Sequence, residues 1–370
     1  MIRRPAPDVR RRIARLRLAA QRLTANPASS PAEAVRTMLA MQAQDYPGVK
    51  WSVALRTAAA TERDVEAACD GGEIVRSWPM RGTLHLVAAA DLPWMLEFTA
   101  PRALASAASR RAALGIDEAD AERARELAVA ALPGRGTLPR RALLGAIEAG
   151  GVSTAGQRGY HLLWYLAQTG TLVLGPTSGR EQTFARLEAW IPNPRRPERD
   201  EALGELARRY FTGHGPASVE DLVRWSGLTV RDVRRGVEVA GDSLRTLELG
   251  GRAYLVGAWS PDSVDDDCGV LLLPGFDEYI LGYRDRSAVL VPERSDAIVP
   301  GGNGMFKPTV VVDGEVAGTW RRTVNARGVT VELAMFDGLP PTLEHRLAGA
   351  ADRYGRYLRR AARLRGPSPE

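Results

Sequence analysis

The sequence predicts an α+β fold: three helical blocks, each closed by a strand pair, then a β-rich tail. Three observations lead there. Residues 217–238, "ASVEDLVRWSGLTVRDVRRGVE", read as two short helices joined by a tight turn. "LRTLELGGRAYLV" (244–256) follows with strand alternation broken at Gly250-Gly251, a hairpin signal. A similar helix–helix–strand pattern precedes this block twice, and from residue 269 the chain becomes rich in β-branched runs.

The third block is the clearest. Ser218 with Asp221 and Thr229 with Asp232 have the spacing of two helix N-caps, and Gly227 stands where the first helix needs a left-handed stop. Val219, Leu222 and Val223 form one apolar face, Val230 and Val233 the other. Two such helices followed by a hairpin make a winged helix. In the second block, helices are expected over 138–151 and 153–170, with strands in "TLVLGP" and "QTFARLEAW" around the turn "TSGRE". The first is looser: helices near 8–24, 31–43 and 61–71, then the strand "GTLHLV" (82–87). The segment "WIPNPRRPERD" (190–200) reads as a proline-rich linker, and "SPDSVDDD" (260–267) as an acidic turn region. In the tail, "GVLLLPGFDEYILGY", "SAVLVP", "PTVVVDGEVAGTWRR" and "VTVELAMF" are strand-like, with Asp313-Gly314 at a hairpin turn. The expected division is a first winged helix over 1–105, a second over 106–192, a third over 200–260, a small β-barrel over 268–345, and a C-terminal helix and tail over 345–370.

Composition sets outer bounds. The chain has 370 residues, 45% hydrophobic and 25% charged, enough for two or three domains with real cores. No run has the apolar length of a membrane span. The basic N-terminus could be a transit peptide, but Asp8 can cap a helix with Ile13, Leu16, Ala20 and Leu23 on one stripe, which reads as a first structural helix. Cys69 and Cys268 are the only cysteines, which fits a reducing cytoplasm and no disulfide framework. The net charge is +6, compatible with a polyanionic partner. Lys50 and Lys307 are the only lysines among 50 basic residues.

No Walker loop, GxGxxG after a strand, HExxH or GxSxG is present. The four histidines are scattered, so no metal site is expected. The helix-turn-helix pattern makes cationic and aromatic residues the candidates for nucleic-acid contact. Arg231, Arg234 and Arg235 stand on the second helix of the third block, either as a recognition helix or as solvated scaffold. Arg81 and His85 flank a strand start, where a lone histidine also reads as a buried structural group. Arg158 opens a helix of the second block, and Arg180 sits at a hairpin tip that could be a wing or a plain turn. Phe306 and Lys307 lie in the glycine-rich "PGGNGMFKP", suited either to insertion between base steps or to Phe306 packing down on the barrel.

One feature is odd. Ser30 to Glu33 starts a helix whose apolar face carries Val35, Met38 and Leu39, and Gln42 continues that face, with Gln44 two residues on. An inward amide needs its hydrogen bonds made, at a cost of about 1–3 kcal/mol if they are not. It is either a structural tie at a helix end or one of two amides lining a pocket.

Six stretches in register, "MLAMQAQDYPG", "PMRGTLHLV", "SGREQTFARLEAW", "GPASVEDLVRWSGL", "LLPGFDEYILGYRDRS" and "PTVVVDGEVAGTW", resemble the tandem winged-helix DNA glycosylases of the AlkZ/YcaQ type over nearly the whole chain. That resemblance implies three winged helices and a β-barrel around a DNA channel. It also implies a catalytic Gln-hydrophobic-Gln motif, matched by Gln42-Ala43-Gln44, and hydrolysis of the N-glycosidic bond of cationic alkylated purines or crosslinks. No cofactor is implied. The expected partner is double-stranded DNA carrying alkylated bases, met by a monomer in the cytoplasm and away from membranes. The competing readings are a non-catalytic DNA binder, as regulator or lesion-sequestering protein, and a protein-binding scaffold.

Overall fold

The computed structural model describes residues 4–179, 181–258 and 268–366. The chain divides into two compact units. One comprises Met1–Val65, Arg199–Trp225 and Thr229–Glu370; the other comprises Glu66–Glu198 and Ser226–Leu228. The boundary at Val65 falls inside the expected first block.

In the second of these units the strand pairs expected as separate wings share one sheet. Its strands run in the order Thr83–Ala88, Ile74–Met80, Leu172–Ser178, Glu181–Arg186, Thr137–Pro139. The two hairpins join where Arg76 faces Leu174, and Arg76 Nη1 donates to Gln182 Oε1 at 3.0 Å. Such a junction unites residues about a hundred positions apart, so local patterning carries no sign of it. Helices Glu118–Ala131, Arg140–Ala149 and Arg158–Gln168 cover the sheet with Ala124, Ala128, Leu143, Ile147, Leu162 and Leu166, all fully buried. The sequence "LEAW" leaves the strand as a helical turn, Leu187–Trp190.

The other unit holds the third block and the tail. Helices Arg199–His214, Val219–Ser226 and Val230–Ala240 precede the hairpin Leu244–Leu249/Arg252–Gly257. Helix Arg199–His214 is not among the expected elements; its partners come from remote segments, as when Arg209 Nε donates to Arg36 O at 2.9 Å. The expected caps form: Asp221 N–H donates to Ser218 Oγ and Asp232 N–H to Thr229 Oγ1, both at 3.1 Å.

The expected β-barrel is instead an open sheet. Its five strands run Ala362–Arg365, Gly328–Met335, Glu315–Asn325, Thr309–Val312, Val270–Leu273, antiparallel except for the first pair. The turn between Val312 and Glu315 is built as expected, with Asp313 at φ 49° and Gly314 at φ 92°, the two positive angles of a type I′ hairpin. The sheet stays open because helices, not its own strands, cover the apolar face. Trp51, Trp320 and Tyr354 meet there, ring centroids 5.0–5.3 Å apart. Trp51 Nε1 and Trp320 Nε1 donate to Leu272 O and Leu273 O, both at 2.7 Å. The C-terminal helix is Pro341–Leu358, and the last strand follows it. "GFDEYILGY" is not a strand but a turn into the helical residues Glu278–Leu281, capped by Asp277. "SAVLVP" forms turns. The acidic segment 260–267 lies outside the described residues.

The helix predicted over 31–43 ends at Met38. Leu39 turns the backbone with φ 65°, and Ala40–Gln42 form a short strand. Pro47 and Gly48 lie in the first turn of the next helix, Tyr46–Leu55.

A buried ion pair in this unit and a buried histidine in the other make the two cores testable. Arg56 and Asp277 are both buried and joined by two hydrogen bonds, Nη1–Oδ2 at 3.0 Å and Nη2–Oδ1 at 2.9 Å. Arg56→Ala leaves the carboxylate without its cation and is expected to cost about 3–5 kcal/mol in urea denaturation; a loss below about 1 kcal/mol contradicts that reading. His161 is 7% exposed. Burial, then the Arg111 and Arg110 charges, lower its pKa below the ordinary 6.5. The unfolded chain then binds the proton more readily, so this group's stabilisation is present above pH 6.5 and is lost as pH falls below it. His161→Phe should flatten that part of the stability–pH curve, measured by thermal unfolding between about pH 5 and 8 against wild type.

Candidate active site

Gln42 is the last residue of strand Ala40–Gln42 and is 8% exposed. Its main-chain N–H donates to Glu278 Oε1 at 2.9 Å. Ala43 is fully buried, Gln44 is exposed and Asp45 is half-buried. A larger side chain at 43 would have to displace packed core, so alanine suits the middle position. The segment Gln42–Asp45 thus passes from core to surface within four residues.

Both ends of this segment are fastened by one acidic dipeptide. Glu278, 1% exposed, takes the Gln42 N–H on Oε1 and the Trp225 Nε1–H on Oε2 at 2.8 Å. His214 Nε2 stands 3.6 Å from Oε2, and its ring stacks on Tyr210 at 4.6 Å. Asp277 accepts from Ser52 Oγ at 2.6 Å and from Arg56, in and just after helix Tyr46–Leu55, which follows the segment directly. Arg56 Nη2 also donates to Gln21 Oε1 at 2.6 Å, and Gln21 Nε2 to Tyr283 Oη at 3.0 Å. Burial raises the Tyr283 phenol well above its ordinary pKa, so the hydroxyl keeps its proton and donates to His214 O at 2.7 Å.

Charged groups surround the surface end. Arg322 Nη2 lies 3.4 Å from Asp45 Oδ2. Lys50 Nζ donates to Glu62 Oε1 at 2.7 Å and lies 5.2 Å from the centre of the Tyr46 ring. Among the described residues no group of three or more histidines, cysteines or carboxylates could hold a metal ion.

The other sequence candidates divide. Arg231 and Arg234 are exposed on helix Val230–Ala240. Arg235 is turned into ion pairs with Asp200 at 2.5 Å and Glu238 at 3.2 Å. Arg81 occupies the turn between strands Ile74–Met80 and Thr83–Ala88 with φ 54°. Its Nη2 lies 3.2 Å from His85 Nε2, and His85 Nδ1 lies 2.9 Å from Thr83 O. A guanidinium only donates and a carbonyl only accepts, so His85 carries its proton on Nδ1. His85 is fully buried; its ring braces Arg81 and does not offer itself as a surface contact.

Arg158 is likewise a structural group. It donates to Leu114 O, Gly115 O, Ser153 O and Asp120 Oδ2, all at 2.6–2.9 Å, which uses its guanidinium within its own unit. Phe306 packs down, 6.2 Å from Phe276, with the Arg286 guanidinium 4.9 Å from its ring centre. Lys307 is exposed. Arg180 lies outside the described residues. Sequence reasoning missed Asp277, Glu278 and Arg56. For the two acids the signal was a charged pair inside the apolar run "LLLPGFDEYILGY", a place where carboxylates stand only with partners.

The comparisons with known proteins agree with one another. The chain is 27% identical over 304 residues to an interstrand DNA cross-link repair glycosylase of Streptomyces sahachiroi, covering 79% of this chain and 82% of that one. The solved structure of the Streptomyces sahachiroi DNA glycosylase AlkZ superposes with a TM-score of 0.78 at 25% identity, over 96% of this chain and 99% of that one. The mixed α+β fold is therefore that of a DNA glycosylase. The profile of one protein family, described as DNA glycosylase AlkZ-like, matches residues 35–357, and with most of its length so matched the chain belongs to that family.

Proposed function

We propose that this protein hydrolyses the N-glycosidic bond of cationic alkylated purines in duplex DNA, N7-alkylguanine first and interstrand crosslinks of the same chemistry with it. The observation that carries the reading is the anchored Gln42-Ala43-Gln44 segment, running from core to surface in a chain of a DNA glycosylase family. The Streptomyces relative's name as a cross-link repair glycosylase supports the substrate class.

The chemistry suits two amides. An N7-alkylated guanine already carries a positive charge, so the bond from C1′ to N9 breaks with its electron pair neutralising the departing base. The sugar is left oxocarbenium-like, and a water oxygen closes on C1′. In our reading the amide oxygen of one glutamine accepts a hydrogen bond from that water and the other stabilises the developing positive charge. The water's proton leaves to solvent, since an amide is no base at neutral pH. Asp45 follows Gln44 with its carboxylate charge balanced by Arg322. No metal or nucleotide cofactor enters this scheme.

We further read the helix pairs and hairpins of the three blocks as winged helices, which place arginines along the phosphate backbone of double-stranded DNA, and the protein as a cytoplasmic monomer. The exposed Arg231, Arg234 and Lys307 and the half-buried Arg81 are the cations offered to phosphates. No helix among the described residues is long and apolar enough to cross a membrane.

Release of N7-methylguanine from a defined duplex, scored as abasic sites after alkaline cleavage, tests the reaction. Gln42→Ala and Gln44→Ala are expected to slow single-turnover release by about 10²-fold while DNA binding persists. Binding without release by wild type would make the protein a DNA binder and Gln42 a structural amide. A salt series on DNA affinity tests the interface. The double variant Arg231→Ala, Arg234→Ala should lower the slope of log affinity against log salt by up to about 2, and Arg235→Ala by much less. An equal effect of Arg235→Ala contradicts the assignment.

A further inference from the structure

We propose that Glu278 is a positioning residue for base release, fixing Gln42 through its main-chain N–H rather than touching DNA. The inference rests on the reaction proposed above. Its grounds are geometric. Glu278 is 1% exposed and places its two oxygens on two different elements: Oε1 on Gln42 N–H at 2.9 Å and Oε2 on Trp225 Nε1–H at 2.8 Å. Trp225 is itself fully buried and packs on Tyr210 and His214, ring centroids 5.1 and 5.3 Å away. One carboxylate therefore locks the last residue of the strand to the rigid aromatic end of helix Val219–Ser226. On the far side of the segment, Asp277 holds Ser52 and Arg56 in the same way. The chain between these clamps, residues 43–51, is where Gln44 and Asp45 reach the surface.

A carboxylate is needed because both partners donate. In Glu278→Gln the new side chain can aim its one carbonyl oxygen at only one of the two N–H groups and turns its NH₂ toward the other. Removing the indole N–H relieves that conflict. In a Trp225→Phe background the amide oxygen introduced by Glu278→Gln is free to serve Gln42. Its NH₂ can then point toward His214 Nε2, which stands 3.6 Å from Oε2 in the wild type. The device thus has a rescue built into it, which a residue serving only general stability lacks.

The experiment compares wild type, Glu278→Gln, Trp225→Phe and the double variant on duplex DNA containing N7-methylguanine. It reads single-turnover release and the Kd for the same duplex, alongside hydrogen exchange of the peptide spanning residues 39–45. Glu278→Gln should slow release about ten- to hundredfold, a loss that sub-ångström to ångström misplacement can produce, with Kd within about twofold. Exchange in the 39–45 peptide should quicken. The double variant should recover to within about threefold of Trp225→Phe alone. Unchanged release or unchanged exchange in Glu278→Gln overturns the proposal, and so does a parallel loss of affinity or a failure of rescue. Wild type that releases no base overturns the proposed reaction and this inference together; wild type that works while Glu278→Gln works equally well overturns only this inference.

Discussion

Two adjacent carboxylates, Asp277 and Glu278, are buried in the middle of an apolar run, and the placement of the candidate site follows from how they are satisfied. An unpaired charge in such a place costs several kcal/mol. Every oxygen here meets a donor: Ser52 Oγ–H, the Arg56 fork and the Tyr279 N–H for Asp277, and the Gln42 N–H and the Trp225 indole for Glu278. The donors come from four separated stretches of chain. Satisfying the pair therefore fixes a short strand, two helices and the turn that carries the acids relative to one another. The loop bearing Gln44 and Asp45 is suspended between the two anchors, which holds it without filling its surface with packing groups.

This arrangement matches what hydrolysis of a cationic base requires. The leaving group brings its own activation, so the protein has to place a water and a pair of dipoles rather than generate a strong base. Amides do that at any physiological pH, because they do not titrate. Their effect depends on position, and position is what a buried, doubly satisfied carboxylate supplies. The cost is borne in folding: loss of one partner from such a buried pair is strongly destabilising.

Much of the local structure was legible in the sequence, and for stated reasons. Caps at Ser218 and Thr229, the stop at Gly227 and the turn at Asp313-Gly314 depend on residues within a few positions of one another. The helical stripe expected to run on to Gln42 does not form: the helix ends at Met38 and Gln42 lies on a strand. What failed depends on distance. The helix beginning at Pro31 stops at Met38 because Arg209 takes a carbonyl of its last turn and Glu278 takes the Gln42 N–H, partners more than 170 residues away. The hairpins of the first two blocks join in one sheet through Arg76 and Leu174. The terminal sheet remains open because Trp51 and Tyr354 cover it. The acid pair inside "GFDEYILGY" signals buried partners, but the run reads as a strand and only the fold shows which donors surround Glu278.

The most direct measurement compares release of N7-methylguanine with release of uracil, a neutral base, from otherwise identical duplexes under single-turnover conditions. A site built from amides around a cationic leaving group should free the methylated guanine and leave uracil in place. Release of both at comparable rates, or of uracil alone, would contradict the account and require a stronger catalytic base than the Gln42-Ala43-Gln44 segment provides.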